Sequence, residues 1–354
     1  MVKMVKDTES GRYCGEPWGR LRVVLRSFLH QLKLMAALLI ATVLLAGCGA
    51  SPAAAETDTV SVVCTIFPQY DWVRVLLDGV SADVKVTLLS DDGTDIHSYQ
   101  PSVQDMAVIQ ESDLLVYIGG DSEDWLLEMV EADEVLKERS INLLELMGEL
   151  VLEEEEKEGM TDEIGHVHDE DFEAEDDEHV WLSFVNARVL CGELAECLIE
   201  LLPEEETLIR ANLEAYEEQV AALEEEYVQA VASARYDTLL FGDRFPFRYL
   251  TEEFGLDYYA AFAGCNADAE ASFETIVFLI EKLNELDLPA ILIIEGSDSK
   301  LAETIRKNTQ SADQEILTLN SMQAVSGDEV AAGATWLNIM EENLKVLKTA
   351  LGSE

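Results

Sequence analysis

The sequence predicts an α/β protein built as two β/α lobes joined by one long helix. Three observations carry this. Short apolar runs alternate with helix-period patterns along both halves of the chain. Between the halves, apolar residues recur at three- and four-residue spacing over about 30 residues, longer than an ordinary globular helix. The chain has 354 residues, 48% of them apolar, enough for about two domains of roughly 150 residues each, with an ordinary core fraction.

Residues 1–47 stand apart from this. Arg20, Arg22, Arg26 and Lys33 precede an apolar run from Leu34 to Ala46, broken only by Thr42 and ending in Leu45-Ala46-Gly47-Cys48. A basic region, a short apolar stretch, small residues and a cysteine, in that order, resemble a bacterial lipoprotein signal. The resemblance implies cleavage before Cys48 and acylation of Cys48, so this segment is left out of the fold. The run is shorter than the about 20 residues a membrane span needs. Residues 1–23 are foreign to such a signal, and the expected start lies further in. Residues 48–58, with GASPAAAET at their centre, read as a flexible tether.

The first lobe is expected over 59–202. Val60–Phe67, Val84–Leu89 and Leu114–Ile118 read as strands, Pro68 opens a helix to Asp78, and Ser102 caps another. Pro203 then fits the first turn of a new helix, with Glu204, Glu205 and Glu206 at its positive end. Ile209, Leu213, Tyr216, Val220, Leu223, Tyr227 and Val231 form its apolar face, making 203–234 the linking helix. In the second lobe, 235–354, Thr238–Phe241, Tyr258–Phe262, Ala290–Ile294 and Ile316–Leu319 read as strands. Helices are expected over 245–254, 273–286, 299–308 and 333–351.

Charge narrows the partners. The chain holds 23 Lys/Arg and 72 Asp/Glu, a formal charge of −49. Residues 1–47 hold seven of the bases and three of the acids, so the remainder carries −53. Such a surface repels phosphate, which argues against nucleic acid and anionic lipid headgroups and favours a cation. Fifteen acids crowd into Leu152–Glu178, beside His166 and His168. This composition predicts a solvated loop and a weak cation collector, since imidazole supplies nitrogen donors and carboxylates supply charge. Cys64, Cys191, Cys197 and Cys265 contain no C-x-x-C, so a cysteine zinc knuckle is unsupported and buried thiols are expected. A disulfide outside the cell cannot be paired from sequence.

Apart from His30 in the signal, the histidines are His97, His166, His168 and His179. His97 sits in GTDIHSYQPSVQD (93–105), after a strand and before a capped helix. His179 sits in DEHVWLSFVNA (177–187), after the acidic loop. These stretches resemble the G-x-D-P-H-x-Y-x-P-x-x-x-D and D-P-H-x-W-x-x-x-x-N-A signatures of the solute-binding lipoproteins of zinc and manganese ABC importers. Both depart at the proline before the histidine, replaced by Ile96 and Glu178. The resemblance runs from Val60 to Leu351 and implies two lobes, a backbone helix and a metal site in the cleft between the lobes.

It also implies a ligand set. His97 and His179 are the first two ligands. The family's third is His or Glu after the first strand of the second lobe. There LLFGDRFPFRYLTEEFGL (239–256) has no histidine, and counting back from Tyr249 reaches Arg244, which cannot ligate. Asp243, one residue earlier, is the expected third ligand, with helix capping as its alternative role. Asn320 or Glu295 is the candidate fourth, and Glu270 is expected to be structural. Two nitrogens and one carboxylate suit Zn²⁺, with Mn²⁺ or iron as the alternative.

The implied function is an extracytoplasmic Zn²⁺ receptor. It is lipid-anchored at the outer face of the cytoplasmic membrane, monomeric, and delivers to an ABC permease with its ATPase. It is not expected to be an enzyme. A zinc metallohydrolase is the alternative from another class, disfavoured because H-E-x-x-H is absent. Cell adhesion through the acidic face is a further side role to weigh.

Overall fold

The computed structural model describes residues 59–161, 175–264 and 271–353. Cys48, His166, His168, Cys265 and Glu270 lie outside the described residues. The first parallel sheet contains β1 (Val60–Cys64), β2 (Val84–Leu88), β3 (Leu114–Tyr117) and β4 (Ser140–Asn142), in the order β2-β1-β3-β4. The second contains β5 (Thr238–Arg244), β6 (Asp257–Phe262), β7 (Ala290–Ile293) and β8 (Glu315–Thr318), in the order β6-β5-β7-β8. The two orders are the same topology used twice. In each lobe the chain leaves the first strand to one side and returns on the other, so a crevice opens at the carboxyl ends of β1/β3 and of β5/β7. In open α/β sheets ligands bind at such crevices.

Helices cover the sheets. In the first lobe they are α1 (Phe67–Leu76), α2 (Val103–Glu111), α3 (Asp124–Ala132), α4 (Glu134–Lys137) and α5 (Leu143–Met147). Pro68 sits in the first turn of α1. Ser102 and Asp105 form a reciprocal capping box on α2. The first strand ends at Cys64, three residues short of the expected Phe67, because the helix begins where proline fixes φ. The edge strand β4 has three residues, too few for a period-two pattern to register in the sequence.

Two helices lead to the second lobe. The first, α6 (Phe184–Leu201), is capped by Ser183, and α7 (Glu206–Ala232) follows a single 3₁₀ turn at Pro203–Glu205. Ile209, Tyr216, Val220, Leu223 and Tyr227 of α7 are buried. The second lobe adds α8 (Arg248–Phe254), α9 (Phe273–Leu286), α10 (Lys300–Lys307), α11 (Gly327–Ala331) and α12 (Trp336–Leu351). One buried cluster runs from Val62 and Val116 through the apolar face of α7 to Phe241, Leu292 and Leu344. The lobes therefore share a core along the long helix rather than meeting only at their surfaces.

Polar contacts fix this junction. The Tyr227 hydroxyl donates to the Met340 carbonyl at 2.6 Å, and the Trp336 indole N–H donates to the Trp181 carbonyl at 2.9 Å. Buried Asp71 of α1 accepts the backbone N–H of Trp336 at 2.7 Å. Cys64 and Cys191 are buried free thiols, and burial raises both thiol pKa values.

Candidate metal centre

His97 follows β2 in a short 3₁₀ turn, Ile96–Ser98. Asp95 caps the turn, its Oδ1 accepting the His97 backbone N–H at 3.0 Å. Ile96, where the family signature has proline, is 1% exposed and anchors the turn in the core. His179 starts the turn Val180–Leu182 that leads into α6. It is fully buried, with the Trp181 ring edge-on at 5.3 Å between centroids.

The two rings meet. The Nε2 atoms of His97 and His179 lie 3.3 Å apart, although the residues are separated by two strands, the acidic loop and several helices. Their other nitrogens are engaged. Asp177 Oδ1 accepts both the Nδ1–H and the backbone N–H of His179, each at 2.9 Å. This selects the tautomer that leaves a lone pair on Nε2, the usual carboxylate–histidine support of a metal ligand. His97 Nδ1 lies 2.6 Å from Ser122 Oγ.

Glu178, the second departure from the signature, is buried beside the turn that supports His97. Its Oε1 accepts the Ser122 N–H at 2.8 Å, so it braces the residue that braces His97. A Cβ on Gly120 would lie 2.3 Å from that Oε1, which leaves room only for glycine. Glu123, fully buried, accepts the N–H groups of Ile118 and Gly119 at 2.6 and 3.0 Å and fixes the exit of β3. Burial pushes its carboxyl up to about 7.

The histidines also differ electrostatically. His97 is held well below the ordinary histidine value by burial first, then by the positive charges of His179 and Arg244. For His179 burial also pulls the value down, but the charge and hydrogen bond of Asp177 outweigh it and raise the value. His97 is thereby kept neutral, the form in which imidazole binds metal.

The second lobe supplies a different set. Asp243, the expected third ligand, has both oxygens on backbone: Oδ1 accepts from Arg244 at 2.9 Å and Oδ2 from Ile294 at 3.2 Å. Glu295 accepts the N–H and hydroxyl of Ser321, each at 2.7 Å, and the N–H of Gln323 at 3.0 Å. Asn320 Oδ1 accepts the Met322 N–H at 2.8 Å. These three tie the β5, β7 and β8 exits together. Among the described residues no group of three His, Cys, Asp or Glu side chains is placed to hold a metal. Asp243 thus joins the end of β5 to the end of β7 through its two backbone contacts. Arg244 is what turns toward the first lobe, pairing through Nη2 with Asp95 Oδ2.

The stem of the acidic loop reaches the same place. Glu153 and Asp176 bridge antiparallel, and the Asp177 N–H donates to the Leu152 carbonyl at 2.8 Å. Lys157 pairs with Asp257 of β6 at 2.5 Å, and the Tyr258 hydroxyl donates to Glu155 at 3.0 Å. A Cβ on Gly264 would lie 3.1 Å from His179 Cε1 and 3.4 Å from Glu154 Oε1, so a stem carboxylate stands beside the ring. Ser122 and Glu154 were invisible to sequence reasoning. The first is separated from His97 by a helix and a strand, and the second is one acid among many. Asp177 stood in the quoted signature, its role unread.

Comparison with known proteins places this geometry. A model of the family described as zinc-uptake complex component A, periplasmic (ZnuA), matches residues 62–350. The zinc-binding lipoprotein AdcA of Streptococcus pneumoniae is 29% identical over 298 residues, covering 83% of this chain but 56% of AdcA. The chain thus spans little more than half the length of that relative. The high-affinity zinc uptake system protein ZnuA of Bacillus subtilis is 28% identical over 318 residues, covering 87% of this chain and 94% of that protein. The crystal structure of the Zn(II)-bound ZnuA-like domain of S. pneumoniae AdcA superposes with a TM-score of 0.63 at 25% identity, covering 83% of this chain and 99% of that domain. With the family match spanning most of its length, two lobes of one topology and two signature histidines facing each other, the chain belongs to the ZnuA family of periplasmic zinc-uptake components.

Proposed function

We propose that the protein is an extracytoplasmic receptor that captures Zn²⁺ in the cleft and delivers it to an ABC permease driven by its ATPase. The observation that carries this is the 3.3 Å between the Nε2 atoms of His97 and His179. Two Zn–N bonds of about 2.0–2.1 Å at a tetrahedral angle separate their nitrogens by about 3.3–3.4 Å. The rings are thus already set for a zinc ion, with each Nδ1 held by a hydrogen-bond partner. His97 and His179 are the protein's nitrogen ligands in this reading. Imidazole nitrogens favour zinc over manganese, which prefers more oxygen.

The acidic loop serves capture. Its stem is fastened beside His179, so cations gathered by its carboxylates and by His166 and His168 are released close to the site. Cys48 carries the lipid that holds the receptor at the outer face of the membrane. The curated relatives named for zinc binding and zinc uptake support this reading.

Calorimetric titration of the chelator-stripped chain with Zn²⁺, and with Mn²⁺ in competition, tests it. One zinc is expected per chain, and Mn²⁺ should not displace it at equal concentration. Absence of zinc binding, or preferential retention of Mn²⁺, would overturn it.

A further inference from the structure

Arg244 ends β5 where the family carries a metal donor, and it is only 7% exposed. Its Nη2 pairs with Asp95, whose other oxygen holds the backbone N–H of His97. The guanidinium therefore stands one carboxylate away from the histidine turn. Its Nη1 is buried and has no hydrogen-bond partner among the described residues.

A second orphan lies on the neighbouring loop. Gln323 is 1% exposed, and both its Oε1 and Nε2 are buried without a partner among the described residues. Its loop touches the His179 turn and the chain just ahead of the His97 segment. The Ser321 carbonyl accepts the indole N–H of Trp181 at 2.8 Å, and the Gly327 N–H donates to the Asp91 carbonyl at 2.7 Å. A relay links it to the Arg244 backbone: Gln323 N–H binds Glu295, next to Ile294, whose N–H binds the Asp243 carboxylate that accepts from Arg244 N–H.

Buried donors left unmet are costly, and more so when charged. A guanidinium facing the histidine pair would also repel a divalent cation. One kind of ligand answers both problems. We propose that the cleft takes its divalent metal together with a small oxyanion of the carboxylate or bicarbonate type, held by Arg244 Nη1 and Gln323 Nε2. One oxygen of the anion fills a coordination position that two imidazoles leave open on a four-coordinate zinc. Another accepts the charge-assisted hydrogen bond from Arg244. The second lobe then recognises the anion while the first recognises the metal. This rests on the receptor reading above.

The test uses the full chain, stripped of metal, with free Zn²⁺ set by a chelator buffer and ionic strength held constant with perchlorate. Adding acetate or bicarbonate is expected to tighten zinc binding about tenfold or more, an ordinary size for coupled ligands. The visible spectrum of the Co²⁺-loaded chain should shift with the same anions. In Arg244→Met both responses should vanish, and in Arg244→Lys part of the response should return. Zinc affinity and Co²⁺ spectrum indifferent to anion in the unaltered chain, or an undiminished response in Arg244→Met, would overturn the proposal. Zinc bound without any anion effect sinks this inference alone. Failure to bind zinc in any salt sinks the receptor reading with it.

Discussion

The two lobes use one strand order, yet their crevices are furnished in opposite ways. The first puts two imidazoles at its loop ends, each with one nitrogen tied back to Asp177 or Ser122. The second puts carboxylates there but turns them onto backbone N–H groups, and presents a guanidinium to the cleft. The difference teaches that topology supplies the place and loop chemistry supplies the function. Metal affinity should therefore reside almost wholly in the first lobe.

Removing a nitrogen ligand should have the largest effect on metal binding. His97→Ala or His179→Ala should weaken zinc binding about a thousandfold, the share of one ligand in a structural-type zinc site. Chelator-competition titration measures it, and thermal melting of the metal-free chain confirms folding. Loss of less than tenfold in both variants would remove the pair as the site.

A second prediction concerns what joins the lobes. Asp71 is 3% exposed, and burial pushes its carboxyl up from 3.8 to about 6, despite the Trp336 N–H it accepts and nearby Arg74. Between those two pH values the folded chain binds more protons than the unfolded chain, so stability falls as pH rises through the window. Above about pH 6 the full penalty of about 3 kcal/mol persists. Asp71→Asn should remove it while keeping an acceptor for Trp336. Urea unfolding should then show the variant more stable by about 2–3 kcal/mol at pH 8 and level with the parent near pH 3.5. An equal change at both pH values would show that packing, not charge, sets the effect.

Next in size is the support of the ligands. Asp177→Asn should cost about 10–100-fold in zinc affinity, as loss of an outer hydrogen bond to a metal-bound histidine does. The effect should arise with little change in stability at neutral pH.

Much of this was legible in the sequence, and the limits have physical causes. Each histidine signature is a local pattern, so His97 and His179 could be read from their own neighbours. Alternating apolar runs exposed seven strands, but the three-residue β4 is too short to show a period. Ser122 reaches His97 only through tertiary folding, 25 residues along the chain. The roles of Ile96 and Glu178 show why the missing prolines do not displace the ligands. One side chain is sunk in the core and the other is bonded to Ser122, so each turn is held by packing rather than by a fixed φ.

Asp243 is where residue type and position along the chain disagree. It is a carboxylate of the right chemistry one residue from the expected position, and residue type alone made it the better donor than Arg244. β5 is also irregular here, its register with β6 shifting between Phe241 and Arg244, so strand alternation does not decide which side chain faces the cleft. The comparison of lobes therefore predicts its smallest effect here. Asp243→Asn should lose one of the two backbone acceptors, costing about 1 kcal/mol of stability, while zinc affinity stays within about threefold because both oxygens are engaged by backbone N–H groups. Glu295→Gln should behave alike, since its oxygens hold Ser321 and Gln323. A zinc affinity loss beyond about tenfold in Asp243→Asn, without matching loss of stability, would return Asp243 to the ligand set and give the second lobe a direct bond to the metal.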